Sequence, residues 1–524
     1  MRAVSTTTQP SFEILPLLGW LTGALFFLYA WVLRVAPSVM VEELMRDFSV
    51  GAAVLGHMSA AYFYGYAGMQ VPVGVLLDRF GPRRLITIST LLCAAGCVLF
   101  ATAGSLTTAT IGRLLIGGSA AFSLVGAMAV AGQWFSPERF AMLSGLAMAA
   151  GMAGGVLGQA PLRVAIEASD WRTSMLLLAS GGLALSLMAW ACVRDRWRGR
   201  GGMGAVLRGL GTVARHPQTW LVALAGLGTS SPLLGFAGLW GVPFLETAHG
   251  MARTFAATLT SLLFVGFGVG APLLGWLSDR IGRRKLPLVA GLALETVALA
   301  ALVYLPDLSV AVVAVLCFLI GFFGSAQIIC FALVKENHPV SLSGTAIGFV
   351  NSMITGAGAL FQPLVGLLLD LAWTGSFAQG TRVYDSATYR FALASLLACC
   401  LAGLLCLLAV RETFCRTVGE AEADSHGAKP VRTSSTGPLR LGCRDWAAET
   451  ALRATTEAPP DRYRSTPRCG LAIRVAAAGT VSADRQPQRH LRSQARRRCA
   501  LTPRAPPAAR HRRAAIASGV PGRP

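Results

Sequence analysis

Apolar residues in this chain do not alternate with polar ones at the spacing of a surface helix or strand. They run on for about twenty positions or more at a time, separated by short polar connections. Roughly 20 residues of helix cross the apolar thickness of a bilayer, so each run reads as a membrane span. Twelve are expected, at 14–38, 51–75, 84–104, 107–131, 140–163, 171–193, 219–244, 254–277, 286–305, 309–334, 345–373 and 391–410. The first is expected to persist rather than be cleaved, because its leader holds one basic residue, Arg2, and the long apolar run carries Arg34.

Two of these runs end on the same string. GVLLDRFGPRR occupies 74–84, and GWLSDRIGRRK occupies 275–285. The match extends further: Pro137 with Ser144 and Gly145 recurs as Pro339 with Ser343 and Gly344, and Gln159 with Pro161 recurs loosely as Gln362 with Pro363. A duplicated membrane module packed around a central cavity is a common plan of secondary transporters. The predicted fold class is therefore an all-α membrane protein with twelve transmembrane helices in two pseudo-symmetric six-helix bundles. The expected domains are an N-terminal bundle (1–193), a basic, glycine-rich linker (194–218), a C-terminal bundle (219–410) and a basic tail (411–524).

Composition fits a polytopic membrane protein, with 54% hydrophobic residues, 14% charged residues and 58 glycines. The net charge of +21 would suggest nucleic acid, but residues 411–524 hold 22 Lys and Arg against 9 Asp and Glu. That tail lacks periodicity and reads as disordered, non-selected sequence. No nucleic-acid partner is expected. With the N-terminus inside, the inner connections and leader hold 16 Lys and Arg and the outer ones 6. By the positive-inside rule both termini are cytoplasmic. Of the 12 cysteines, eight fall in spans and four in the tail. They form neither a disulfide framework nor zinc spacing, and no metal or cofactor is expected. The chain carries no Gly-x-x-x-x-Gly-Lys-Ser/Thr, Gly-x-Ser-x-Gly or His-Glu-x-x-His motif. Neither an enzyme nor an ATP-driven pump is indicated.

The twelve spans, the basic linker and the string between spans 2 and 3 and again between spans 8 and 9 resemble the major facilitator superfamily of bacterial secondary transporters. Supporting matches are RLLIGG from Arg113, WFSPER from Trp134 and DWR from Asp170. The resemblance covers about residues 14–410. It implies that spans 1, 4, 7 and 10 line the cavity, with 2, 5, 8 and 11 contributing. It also implies that the duplicated string shuts the cytoplasmic side when the cavity faces outward. The gating residues are then Gly74, Asp78, Arg79, Gly81, Arg83 and Arg84 with Gly275, Asp279, Arg280, Gly282, Arg283 and Arg284. Glycines 74 and 275 suit close helix approach, Gly81 and Gly282 a tight turn, and the two acids suit hydrogen bonding to arginine or a helix N-terminus.

An ionisable group inside a span is costly and marks a pathway. Arg34, near the outer end of span 1, and Arg113, about 10 Å into span 4 from that side, are the two candidates on lining helices. No carboxylate lies within spans 1, 4, 7 or 10 until Glu246 and Glu336 at their ends, which favours an anionic or zwitterionic solute over a cation. Carboxylate or phosphate suits guanidinium recognition. Tyr62, Tyr66 and Gln70 follow one face of span 2, with Gln159, Gln327, Asn351 and Gln362 on other lining helices, as candidate substrate contacts. Glu295 is the one carboxylate deep in a span, on a helix expected to be peripheral. The expected function is alternating-access transport of a small organic solute such as a carboxylate, amino acid, peptide or phosphate ester. A coupling proton and membrane lipid are the other partners, and a monomer is expected. The alternatives are a transporter-like sensor or assembly partner and an efflux pump for hydrophobic compounds.

Overall fold

The computed structural model describes residues 14–196, 203–378 and 381–416. The expectations for the leader and for residues 417–524 fall outside them. Twelve helices of membrane length are present: span 1 Ile14–Val39, span 2 Ala52–Phe80, span 3 Pro82–Ala101, span 4 Leu106–Trp134, span 5 Arg139–Ala168, span 6 Trp171–Cys192, span 7 Pro217–His249, span 8 Arg253–Ile281, span 9 Lys285–Tyr304, span 10 Val310–Glu336, span 11 Ser343–Leu371 and span 12 Ser386–Ala409. Eleven are both long and apolar enough to cross a membrane. Span 2 has the length, 29 residues, but His57, Tyr62, Tyr64, Tyr66 and Gln70 dilute its apolar character.

The ends of the helices repeat between the halves. Ser105 opens span 4 by accepting the Thr108 N–H, and Ser309 opens span 10 by accepting that of Val312. Asp170 does the same for span 6 through Thr173, and Asp385 for span 12 through Thr388. Such caps satisfy N–H groups that have no partner inside the helix. Spans 2 and 8 run past their apolar stretches, so Asp78 and Arg79, like Asp279 and Arg280, lie on a last helical turn rather than in a loop. Basic residues are favourable there. Each helix stops at a glycine in a conformation that side chains rarely adopt, Gly81 at φ +82° and Gly282 at φ +69°.

The halves also share one helix crossing. A methyl group added to Gly117 would stand 1.8 Å from the Tyr62 carbonyl oxygen, and one on Gly65 would stand 2.3 Å from that of Leu114, where spans 2 and 4 meet. Gly321 and Gly266 reproduce this where spans 10 and 8 meet, at 1.9 Å from Leu263 O and 2.1 Å from Phe318 O. By contrast, Gly74 has nothing within 4 Å, and the nearest atom to a methyl on Gly275 is 4.0 Å away. These two glycines do not serve the close approach expected of them, because in this state Gly74 faces open cavity.

Several spans are interrupted. Span 1 tightens into a 3₁₀ turn at Ala36–Val39, span 5 breaks around Gly158 and Gln159, span 7 widens into a π-helical stretch at Pro232–Trp240, and span 10 tightens at Ser325–Gln327. Irregular backbone at membrane depth needs protein or a cavity around it. The linker, expected as a loop, contains the helix Met203–Ala214, whose Val213 is fully buried and whose Gly209 meets Leu342 and Thr345 near the start of span 11.

Candidate functional site: a central cavity and two unequal faces

Spans 1, 2, 4, 5, 7, 8, 10 and 11 enclose a cavity of about 720 Å³. Its lining runs from Phe27, Trp31, Arg34 and Tyr66 to Gly74, Asp78, Leu210 and Gly344, at the end that bears the duplicated string. That end is called the basic face below. Arg34 is only 5% exposed, yet no carboxylate among the described residues pairs with it. Its Nε donates to the Tyr62 hydroxyl at 3.3 Å. Its guanidinium lies 4.1 Å from the Trp31 ring centroid, 4.8 Å from Tyr66, 5.3 Å from Tyr62 and 5.9 Å from Phe63. Aromatic faces favour a cation without neutralising it.

Of the residues expected to contact substrate, the cavity brings together Arg34, Tyr66, Gln70, Gln327 and Asn351. Asn351 Nδ2 donates to Gln70 Oε1 at 3.2 Å, bridging the halves. Tyr62 is fully buried behind them, stacked 6.1 Å from Tyr66. Arg113 is not in the wall. Fully buried, it donates from Nη1 to Leu33 O at 2.7 Å and from Nη2 to Ser59 O at 3.3 Å and Arg34 O at 3.5 Å, so it braces the backbone that carries Arg34. Depth along a helix was legible in the sequence, but the direction of this side chain was not.

Gln159 and Gln362 are likewise fully buried outside the cavity lining. Gln159 Nε2 donates to Ala237 O at 2.9 Å, and Gln362 Nε2 to Leu234 O at 3.0 Å. The loosely repeated amides of spans 5 and 11 thus serve the same π-helical stretch of span 7, whose wider winding displaces carbonyls from regular helix bonding. Glu295 is 1% exposed and turned inward against Gly324 of span 10, away from the cavity lining.

At the basic face each copy of the string is bound within its own half. The Arg83 N–H donates to Asp195 at 2.9 Å, and the Arg83 side chain donates to Trp190 O at 3.1 Å. The Arg284 N–H donates to Glu412 at 2.7 Å, and that of Lys285 to the same carboxylate at 2.9 Å. Asp195 and Glu412 each stand three residues beyond the last residue of span 6 or span 12. Sequence reasoning missed this pair, which that shared offset would have flagged. The Arg284 guanidinium also meets Asp279 at 2.5 Å and Glu336 at 2.8 Å. Burial lowers its proton affinity, but these carboxylates outweigh burial and hold it above its ordinary value. Arg79 lies against Phe80 and Arg280 against Trp276, while Arg84 and Arg283 are exposed. Asp78 is exposed at the cavity mouth and forms no ion pair among the described residues.

The other face is shut. Arg253 of span 8 pairs across the halves with Glu42 and with Glu43 at 3.3 Å, and within its half with Glu246 at 2.9 Å. Arg163 of span 5 holds Glu43 at 2.6 Å, and the Thr254 hydroxyl donates to Glu167 at 2.6 Å. Asp370, near the end of span 11, accepts from the Ala53 N–H at 2.9 Å and the Ala52 N–H at 3.3 Å, at the N-terminus of span 2. Five of the six basic residues assigned to this face, Arg46, Arg163, Arg172, Arg253 and Arg382, have a carboxylate partner.

The Major Facilitator Superfamily model matches residues 21–241 and again 222–441. A probable sulfoacetate transporter of Cupriavidus necator is 24% identical over 383 residues, covering 67% of this chain and 86% of the relative. The gentisate transporter of Corynebacterium glutamicum is 26% identical over 395 residues, covering 72% and 85%. Among solved structures, an inward-facing, occupied bacterial homologue of the human lysosomal transporter Spinster aligns with a TM-score of 0.63 at 15% identity, covering 75% of this chain and 96% of that one. The nucleoside transporter NupG aligns at 0.60 and 12% identity, covering 76% and 99%. With the family match spanning both halves of the duplicated fold, the chain is a multi-pass membrane transporter belonging to the Major Facilitator Superfamily.

Proposed function

We propose that this protein carries a small organic anion across the bacterial inner membrane by alternating access, with both termini cytoplasmic and the cavity here open to the cytoplasm. The observation that carries the reading is Arg34, buried in the wall of the central cavity with no acidic partner. A buried cation without a counter-ion is costly, and an arriving anion supplies the missing charge. The orientation rests on the 16 Lys and Arg of the inner connections and leader against 6 in the outer ones. Anion transport is named for several relatives, including those for sulfoacetate and gentisate.

Spans 2 and 11 supply the alternation. Both have 29 residues, and each carries an aspartate in its last turn, Asp78 on one and Asp370 on the other. In the described state Asp370 holds the N-terminus of span 2 and Asp78 is free. In the outward-open state Asp78 takes the N-terminus of span 11, where negative charge is favoured, and Asp370 lets go. Gradient-driven uptake into proteoliposomes tests the reading. Arg34→Lys should retain part of the activity and Arg34→Ala should lower uptake of an organic anion about 100-fold, the weight of one strong charge-assisted contact. Full activity of Arg34→Ala with an anionic solute would refute it. Imposing a pH gradient in the same assay decides whether a proton is coupled.

A further inference from the structure

The cavity is uneven in its chemistry. Arg34 and Asp78 are its two charged residues, and Asp78 stands exposed at the mouth, so the enclosed part offers a single positive charge. Around that charge the wall is aromatic and thioether. Trp31 and Phe27 come from span 1, Met128 from span 4, Met148 and Met152 from span 5, and further phenylalanines from spans 8, 10 and 11. Two of its amides, Gln70 and Asn351, are already bonded to each other, which leaves Gln327 and the hydroxyls of Tyr66, Ser230, Thr345 and Thr355 as its other uncharged polar groups.

Resting on the anion reading above, we propose that the preferred cargo is a monovalent carboxylate on an apolar, aromatic body. Three physical arguments converge on that class. One guanidinium neutralises one carboxylate, whereas a second carboxylate would enter the enclosed space unpaired, and a buried unpaired charge is heavily penalised. The volume would hold roughly two dozen waters, far more than a single inorganic oxyanion fills, and an apolar body gains by displacing water from Phe, Trp and Met side chains. Methionine is polarizable and adapts its shape around a ring, with favourable sulfur–aromatic contact. A polyhydroxylated acid, by contrast, would meet a mostly apolar wall with few polar groups to spare, and each buried hydroxyl left without a partner costs free energy. Arg34 is preorganised for the carboxylate. Rings flank its guanidinium, and Arg113 fixes the carbonyl of the same residue.

Trp31 lies in the wall, so binding to the purified full-length protein can be followed by the part of the tryptophan fluorescence change that Trp31→Phe removes and, independently, by ligand-induced thermal stabilisation. The probes are benzoate, its neutral isostere benzamide, succinate as a dianion and nitrate as a small inorganic anion. Benzoate is expected to bind at least 30-fold more tightly than benzamide, succinate or nitrate, and Arg34→Gln is expected to erase its advantage over benzamide. Succinate or nitrate binding as tightly as benzoate would overturn the proposed class while leaving an anion transporter standing. Benzamide matching benzoate on the unmodified protein would sink the anion reading itself. No binding of benzoate by either method would also reject the class. The benzoate and benzamide comparison needs no Arg34 variant, so a folding defect in Arg34→Gln would not blunt the test.

Discussion

Replacing Asp370 by asparagine should release the shut face. The carboxylate is 16% exposed and accepts from four donors, of which Arg382 (3.1 Å) and Tyr384 (2.5 Å) belong to its own half. Those two contacts join groups of one half, so to a first approximation their weakening cancels from the equilibrium. What differs between the states for Asp370 is the pair of bonds to the N–H groups of Ala52 and Ala53 on the other half, the first of which is shared with the Tyr384 hydroxyl at 3.1 Å. A hydrogen bond to a charged acceptor is worth about 1 kcal/mol more than one to a neutral acceptor. The amide also loses the favourable charge interaction with the N-terminus of span 2, about 0.5 kcal/mol at a partly exposed site. Screening and the amide's remaining oxygen reduce the total to about 2 kcal/mol, or a shift of about 30-fold in the ratio of open to shut. Spin labels on cysteines introduced at Gly104 and Pro306, exposed residues of the two halves on that face, would read the opening as a longer distance population. The measurement is made in a background lacking native cysteines. An unchanged distance distribution in Asp370→Asn would refute the latch.

Two further outcomes follow from the packing. Gly117→Ala should cost about 3 kcal/mol, near the upper end of overpacking penalties, because the methyl would stand 1.8 Å from backbone that has no room to retreat. Gly145→Ala, with nothing within 4 Å, should leave the melting temperature unchanged or raised, and equal melting of the two variants would count against the crossing described. His338 lies beyond the end of span 10, hydrogen-bonded to Thr219 at 2.8 Å, and burial together with the His216 ring 5.0 Å away holds its imidazole below the ordinary value of 6.5. The unfolded chain then takes up the proton first as the pH falls through about 6.5. The contribution of His338 to stability is whole above that pH and is lost below it. His338→Gln should flatten this acid-side fall in melting temperature, and an identical pH profile for the two proteins would show that His338 is not its source.

How far the sequence could be read depended on whether a side chain's role was set by position along a helix or by direction around it. The spans and the repeat are positional, and they were legible from apolar run lengths and from two strings. Arg34, Gln70 and Asn351 were found because polar groups in apolar helices are scarce. Arg113, Gln159 and Gln362 are equally scarce, yet they turn away from the cavity toward backbone carbonyls, and scarcity says nothing of direction. The aromatic and methionine wall was hidden for the converse reason, since an apolar side chain on a membrane helix satisfies lipid and cavity alike. The shut face was missed because its carboxylates, Glu42, Glu43, Glu167 and Asp370, come from segments far apart in the chain and gain meaning only when the halves meet.

The geometry of spans 2 and 11 gives the reason why the proposed Asp78 latch would exclude that of Asp370. A helix of 29 residues is about 43 Å long at 1.5 Å per residue. Tilting two such helices about their midpoints by about 3° moves each end by about 1 Å, in opposite senses at the two faces. A hydrogen bond between a carboxylate and an amide N–H keeps its strength over only a few tenths of an ångström. On the proposed cycle, the bonds of Asp370 to Ala52 and Ala53 would be lost within the first degrees of a rocking motion that brought Asp78 toward the N-terminus of span 11. An anion at Arg34 would sit beside span 2, whose Tyr62, Phe63 and Tyr66 rings lie 5.3, 5.9 and 4.8 Å from the guanidinium. By neutralising the unpaired charge of Arg34 in the cavity wall it would remove a cost carried by every conformation that keeps Arg34 buried. The two aspartates of the proposed latches thus share one pair of helices, while the recognising guanidinium of Arg34 stands on span 1.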